Sequence, residues 1–201
     1  MGRSVCLLSN FAMLPEPFCF RGLRWNCSEA CFQALLRVHP DDWHMFAVGG
    51  VLSTLETGLR IVFPESEYAK KLKHYGPKAP GKHPTGKCPM VGIVSKMAIK
   101  PKIAARAGVR LLTTDEDEHT KAQVVALFDE ILHAKYSQCP EARKQLLATG
   151  DRLLVEFDRT AESKANRGKP PRWTGLVDRH GVLHGENLQG VLQGRARQAL
   201  L

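Results

Sequence analysis

The stretch Phe18-Cys19-Phe20-Arg21-Gly22-Leu23-Arg24-Trp25-Asn26-Cys27-Ser28-Glu29-Ala30-Cys31-Phe32-Gln33-Ala34-Leu35-Leu36 changes its period partway along. Up to Trp25, apolar residues alternate with others around a glycine, which is the pattern of a short strand or hairpin. From Cys31 onward the apolar residues Phe32, Leu35, Leu36 and Val38 recur at helical spacing until Pro40 ends the run. Ser28 reads as the helix N-cap and Glu29 as an acid in its first turn. The sequence therefore predicts a strand-to-helix junction with a carboxylate at the helix start, in a chain of α+β class.

Working outward, helices outnumber strands. The pair Asp41-Asp42 opens a second helical run through Trp43, Phe46 and Val48, which Gly49-Gly50 interrupts. Glycine and proline crowd Gly76 to Pro89 and predict a long loop, while Ile99 to Arg110 reads as helical again. The clearest helix runs from a Thr114 cap through acidic Asp115 to Glu118, then Val124, Leu127, Phe128, Ile131 and Leu132, to Lys135 and Tyr136. A shorter helix from Glu141 to Ala148 closes at Gly150. Leu153 to Phe157 reads as a short buried strand, Arg159 to Gly185 as a polar functional loop, and Asn187 as the start of a last helix in which Gly190 and Gly194 permit close backbone contact.

The chain has 201 residues, enough for one sizeable core, and its balance of apolar and charged residues excludes a disordered or fibrous protein. Its formal charge of +9 is unevenly spread. No Asp or Glu lies between Glu67 and Asp115, a window that holds eleven Lys and Arg. The rest of the chain, with eighteen basic and twenty acidic residues, is close to neutral. One concentrated positive segment implies a local anionic partner, although aromatic residues, which nucleic-acid surfaces interleave with basic ones, are sparse there. The six cysteines show no repeated spacing, and Cys27 and Cys31 lack the two further ligands a zinc site needs, so reduced thiols and no metal are expected. No apolar stretch reaches the ~20 residues of a membrane span, and no secretory signal is evident, which predicts a soluble intracellular chain of cytoplasm or nucleus. The glycine-rich pieces match neither the dinucleotide fingerprint nor the P-loop, and no nucleophile elbow occurs.

Glu29 is the first candidate for chemistry. A carboxylate at a strand-to-helix junction is open to burial, which raises its pKa toward the range of acid or base work; the alternative is a first-turn acid that only faces the helix dipole. Trp173, a lone aromatic in a polar loop, either stacks on a ring or pins the loop. Asn187, after Gly185, either aims its amide at a ligand or caps the last helix, and Asn10 before Phe11 allows the same two readings.

Several pieces resemble a known family when read in order. They are Leu8-Ser9-Asn10-Phe11, the run from Gly22 to Ala34 with its Trp25-x-x-x-Glu29-x-x-Phe32-Gln33 core, Lys135-Tyr136, Leu146 to Gly150, Leu153 to Glu156, Trp173-Thr174-Gly175, and Gly185 to Gly190. This set resembles the NADAR (NAD and ADP-ribose associated), or YbiA-like, superfamily across nearly the whole chain. The resemblance implies one compact, mostly helical YbiA-like domain over residues 1–201 with a few short strands. It also implies cleavage of N-glycosidic bonds, either removing ADP-ribose from guanine or splitting phosphoribosylated pyrimidine intermediates of riboflavin synthesis. By position it implies Glu29 as the catalytic glutamate, and Trp173, Asn187, Ser9, Asn10, Phe11, Gln33 and Lys135 as substrate-binding residues, with no metal and no cofactor. The implied partner is an ADP-ribose-containing small molecule or an ADP-ribosylated nucleic acid.

The chain departs from the family pattern at Ala30 and Cys31, where His and Tyr are usual, at Leu36 and Pro170, where Lys and Asp are usual, and at Thr174. Residues from about 41 to 95 read as an enlarged basic excursion relative to the short bacterial form. These departures favour ADP-ribosylated guanine over the bacterial riboflavin intermediate as substrate. A non-catalytic sensor of ADP-ribose or NAD, and a plain nucleic-acid-binding protein, are the readings of other classes.

Overall fold

The computed structural model describes residues 7–76, 90–112, 121–157, 161–169 and 171–201. It divides into two compact units, Met1–Gln145 and Leu146–Leu201, and each is described by itself. The described residues are of mixed α+β class, mostly helical, with two small antiparallel two-stranded sheets.

In the first unit, β1 (Phe18–Phe20) and β2 (Leu23–Trp25) form the expected hairpin, with Phe18 facing Trp25 and Phe20 facing Leu23. Its two-residue turn, Arg21 and Gly22, has positive φ at both positions, as a tight hairpin of right-handed twist requires. The Trp25 indole N–H donates to the Phe20 carbonyl at 2.9 Å, which locks the hairpin across its own end. The helix α1 (Ser28–Arg37) follows at once. Ser28 lies inside this helix and is not its cap: Cys27 holds the N-cap position in extended conformation, and its side chain makes no capping bond to the helix. The carbonyl of Asn10 does the capping instead, accepting the Glu29 N–H at 3.0 Å. Chain from a distant loop thus supplies what the local serine was expected to supply.

The chain leaves α1 as predicted before Pro40, where Val38 makes an isolated antiparallel bridge with Leu111. The helix expected from Asp41 is a short 3₁₀ turn, Pro40–Met45, and stops before Val48. Its two acids explain the tight geometry. The Asp42 carboxylate accepts both the backbone N–H and the guanidinium of Arg110, at 2.8 Å each, and Asp41 lies 3.3 Å from the same guanidinium. These bonds hold Asp42 at about 2, below the usual carboxylate range.

Two helices, α2 (Leu55–Val62) and α3 (Glu65–Tyr75), occupy part of the stretch read as an excursion. The helical region expected over 99–110 is α5 (Pro101–Ala107), which ends at Gly108 with φ of 71° and is preceded by a separate α4 (Gly92–Ala98). The expected Thr114 cap and acidic first turn lie outside the described residues, and α6 covers Lys121–Gln138. Helix α1 packs against α4 and α6, α6 also meets β1, and α2 contacts α3, α4 and α5. Phe18, Trp25, Phe46, Leu59, Val94 and Ile131 are wholly buried, and Phe32 meets Phe128 edge-to-face at 4.9 Å. Helix α7 (Pro140–Leu147) is the predicted short helix, with Gly150 left-handed just beyond it.

The second unit contains α8 (Ala161–Asn166), the hairpin of β3 (Leu176–Val177) and β4 (Leu183–His184), and α9 (Leu188–Gln198). The buried strand expected at Leu153 to Phe157 is not formed. Leu153 and Phe157 are 66% and 68% exposed, and the segment has one isolated bridge, Phe157 with Gly175. Its backbone is bonded to a side chain in place of a neighbouring strand, because Asn187 Nδ2 donates to the Leu154 carbonyl at 2.7 Å and Asn187 Oδ1 accepts the Glu156 N–H at 3.0 Å. Gly190 meets the close approach foreseen for it, since a Cβ there would overlap the Leu154 carbonyl, whereas Gly194 faces open space. Among the described residues no helix is long and apolar enough to cross a membrane.

Candidate active site

The first turn of α1 is buried, although it carries an ionisable side chain. Loop residues Ser9 to Phe11 lie over it, and the buried Asn10 directs its carbonyl at the helix start. That one oxygen accepts from Glu29 N, from the Cys27 thiol at 3.0 Å and from the Ser28 hydroxyl at 3.4 Å. Phe11 continues the seam, its carbonyl accepting the Gly92 N–H at 3.1 Å. Gly92 has no room for a side chain: a Cβ would stand 2.8 Å from both Glu29 Cβ and Phe11 Cα. The glycine lets α4 close against the two segments that frame the carboxylate.

Glu29 is 7% exposed, and one carboxylate oxygen accepts Gln33 Nε2 at 2.9 Å, one helical turn on. Burial raises its pKa; the Gln33 hydrogen bond and the positive charge of Lys96 pull the other way and are outweighed. Lys96, exposed on α4, places its ammonium 5.5 Å from the centre of the Phe11 ring. On the other side, Lys135 of α6 is wholly buried and donates from Nζ to the Ser9 carbonyl at 3.4 Å, with the Tyr136 ring 5.0 Å away. A buried ammonium is costly unless bonded, and here it fastens the loop that caps α1. The thiol of Cys27 is pushed up to about 12 by its burial, so it stays protonated and inert at neutral pH.

The first unit thus brings together Ser9, Asn10, Phe11, Glu29, Gln33 and Lys135. Trp173 and Asn187 belong to the second unit. Trp173 is half-buried, its carbonyl accepts the Gln189 N–H at 3.3 Å, and the Arg172 guanidinium lies 6.0 Å from its ring. Asn187 is wholly buried at φ of 51°, in the N-cap position of α9 without capping it through its side chain; its amide is engaged by the 154–156 backbone. Lys96 and Gly92 are the members sequence reasoning missed. Lys96 stood in the acid-free window, but nothing local signals that α4 packs on α1. Among the described residues no group of three or more His, Cys, Asp or Glu is arranged to hold a metal ion. No family model, curated protein or solved structure matches this chain.

Proposed function

We propose that the protein is a hydrolase of N-glycosidic bonds to ribose, acting on ADP-ribose joined to guanine. The observation that carries this reading is the buried carboxylate of Glu29, pushed toward weaker acidity and flanked by Lys96 and the loop that Lys135 anchors. Cleavage breaks the bond from ribose C1′ to the base nitrogen, the electron pair leaving with the nitrogen, which takes up a proton from solvent. Positive charge builds on the ribose, and a water oxygen then bonds to C1′ while its proton is transferred away. An ionised carboxylate beside that carbon stabilises the charge and accepts the water's proton. Cations near it suit the pyrophosphate of an ADP-ribosyl group. The resemblance to the NADAR superfamily supports the same assignment, since Glu29 stands at that family's glutamate.

Incubation with ADP-ribosylated guanosine, read by mass, should release ADP-ribose and guanosine. Glu29→Gln should fold normally and lose turnover by ~10²–10⁴-fold. Because the ionised form acts and burial raises the pKa, the acid limb of the wild-type rate profile should lie above the ordinary glutamate range. Full activity in Glu29→Gln would sink the assignment. Turnover of a phosphoribosyl pyrimidine alone would move the substrate to the riboflavin class. Calorimetric binding of ADP-ribose with no base released from any conjugate would make the protein a sensor.

A further inference from the structure

The seam between the first turn of α1, the loop from Ser9 to Phe11 and helix α4 holds a cation that is fixed at its root and unpaired at its tip. The root is Gly92, whose N–H donates to the Phe11 carbonyl at 3.1 Å and whose missing side chain leaves room for Glu29 Cβ and Phe11 Cα, each 2.8 Å from where a Cβ would stand. Lys96 follows one helical turn on, on the same face of α4. Its ammonium lies 5.5 Å from the centre of the half-buried Phe11 ring, and its field favours the ionised form of Glu29. Yet Lys96 is exposed and forms no ion pair among the described residues, and no Asp or Glu between Glu67 and Asp115 competes for it. The other charges on elements packed against α1 are placed differently. Lys135 donates to the Ser9 carbonyl, Arg21 pairs with Glu130, His133 lies 4.0 Å from Asp129, Asp42 holds Arg110, and Arg24 is on the exposed face of β2.

We propose that Lys96 serves two anions in turn, the Glu29 carboxylate in the free protein and a phosphate of the ligand in the complex. The identity of that ligand rests on the glycosidase reading, which the proposal deepens by naming the residue that couples binding to the state of the carboxylate. The contact with the Phe11 ring is a weak hold on an exposed ammonium, and a four-carbon stem lets that ammonium swing. A phosphate offers it a charge-assisted hydrogen bond, which the ring does not. Once the phosphate takes the ammonium, Glu29 loses the charge that favoured its ionisation and gains an anion nearby, so it binds a proton more tightly. The carboxylate is thus held ionised in the empty site and becomes a stronger base when ribose and water are in place. Linkage makes the coupling reciprocal: protonation of Glu29 frees Lys96, so affinity for the phosphate rises as pH falls through the Glu29 titration.

The test is a carbon NMR titration of the full chain labelled at the glutamate side-chain carboxyl, free and saturated with ADP-ribose, the Glu29 resonance being assigned by its loss in Glu29→Gln. In the free protein Lys96→Met, which keeps an apolar stem beside the Phe11 ring, should raise the Glu29 midpoint by at least about half a pH unit, and Lys96→Arg should leave it at the wild-type value. Saturation with ADP-ribose should raise the wild-type midpoint by about as much, and that of Lys96→Met by less than half as far. Calorimetry at neutral pH should show Lys96→Met binding ADP-ribose about tenfold more weakly than wild type. Lys102→Met, an exposed change of equal charge on α5, serves as the control and should move the midpoint and the affinity less. A Glu29 midpoint that Lys96→Met leaves in place, an equal ADP-ribose effect with and without Lys96, an equal effect of Lys102→Met, or no binding of ADP-ribose to wild type would each overturn the proposal. The glycosidase reading fails separately: no guanosine released from the conjugate, with the Lys96 coupling intact, would uphold the shared cation in a protein that senses ADP-ribose without cleaving it.

Discussion

Glu29 and Asp42 are both buried acids, yet they bear on stability with opposite sign. Asp42 is held at about 2 by Arg110, so its contribution is present above the unfolded value of ~3.9 and is lost as pH falls through the folded one. Glu29 has its pKa raised by burial, so its favourable contribution is complete below the unfolded value of ~4.3 and is lost as pH rises through the folded one. At neutral pH, above its unfolded value, a glutamate buried at position 29 is therefore a burden on the fold, whereas a glutamine keeps the shape and a partner for Gln33 without the ionisable group. Glu29→Gln should melt higher than wild type at pH 7, with ~2–4 °C for each kcal/mol in a chain this size, and the gain should vanish at about pH 4 and below. A variant that melts lower at pH 7 would make Glu29 a structural anchor of the helix start. This contrast separates the two readings that position in the sequence left open, because a first-turn acid that serves the dipole stabilises and a buried functional one does not.

The elements legible in the sequence were those whose causes are local. The β1–β2 hairpin follows from alternation around a two-residue turn, and α1 and α7 follow from apolar period and flanking Pro or Gly. Where bonds come from far along the chain, local reading fell short. The 3₁₀ turn at Pro40–Met45 is drawn tight by Arg110, and Leu153 to Phe157 looks like a buried strand until Asn187, more than thirty residues later, takes its hydrogen bonds. Helix α3 leaves little apolar pattern because Tyr68 is its one buried residue, whereas α2 buries Leu55, Gly58, Leu59 and Val62 at helical spacing, a local signal that the reading of an excursion passed over. Asn187 performs two tasks, binding the 154–156 backbone and holding a left-handed φ of 51°. Substitution separates them. Asn187→Gly keeps the backbone conformation but leaves two backbone groups unpartnered, and should cost ~1–3 kcal/mol in a urea melt. Asn187→Ala adds left-handed strain of ~1–2 kcal/mol and should cost more. A Gly variant as stable as wild type would show that the side-chain bonds carry no weight.

Across the whole molecule, burial sets chemical accessibility. Cys19 is exposed, while Cys27, Cys31 and Cys139 are buried free thiols, raised in pKa by desolvation, Cys27 to about 12 and Cys139 to about 11. A short iodoacetamide pulse on native protein, mapped by peptide mass, should mark Cys19 and spare those three. Labelling of Cys27 at the rate of Cys19 would mean that the Ser9 to Phe11 loop opens readily from α1. The candidate site was legible in part for the same reason the fold was. The Trp25 to Gln33 run carries its own pattern, but Gly92 and Lys96 join Glu29 only through the packing of α4 on α1. The acid-free window likewise spreads over more than one place, with Lys96 beside Phe11 and Lys70 and Lys73 on α3. Where that window leaves α3, the Met90 N–H returns to the Tyr75 carbonyl at 3.1 Å. That bond ties the residue two places before α4 to the last residue of α3, so two helices well apart in the numbering share one anchor. A disturbance at the end of α3 therefore reaches the entry of α4 through a single backbone bond.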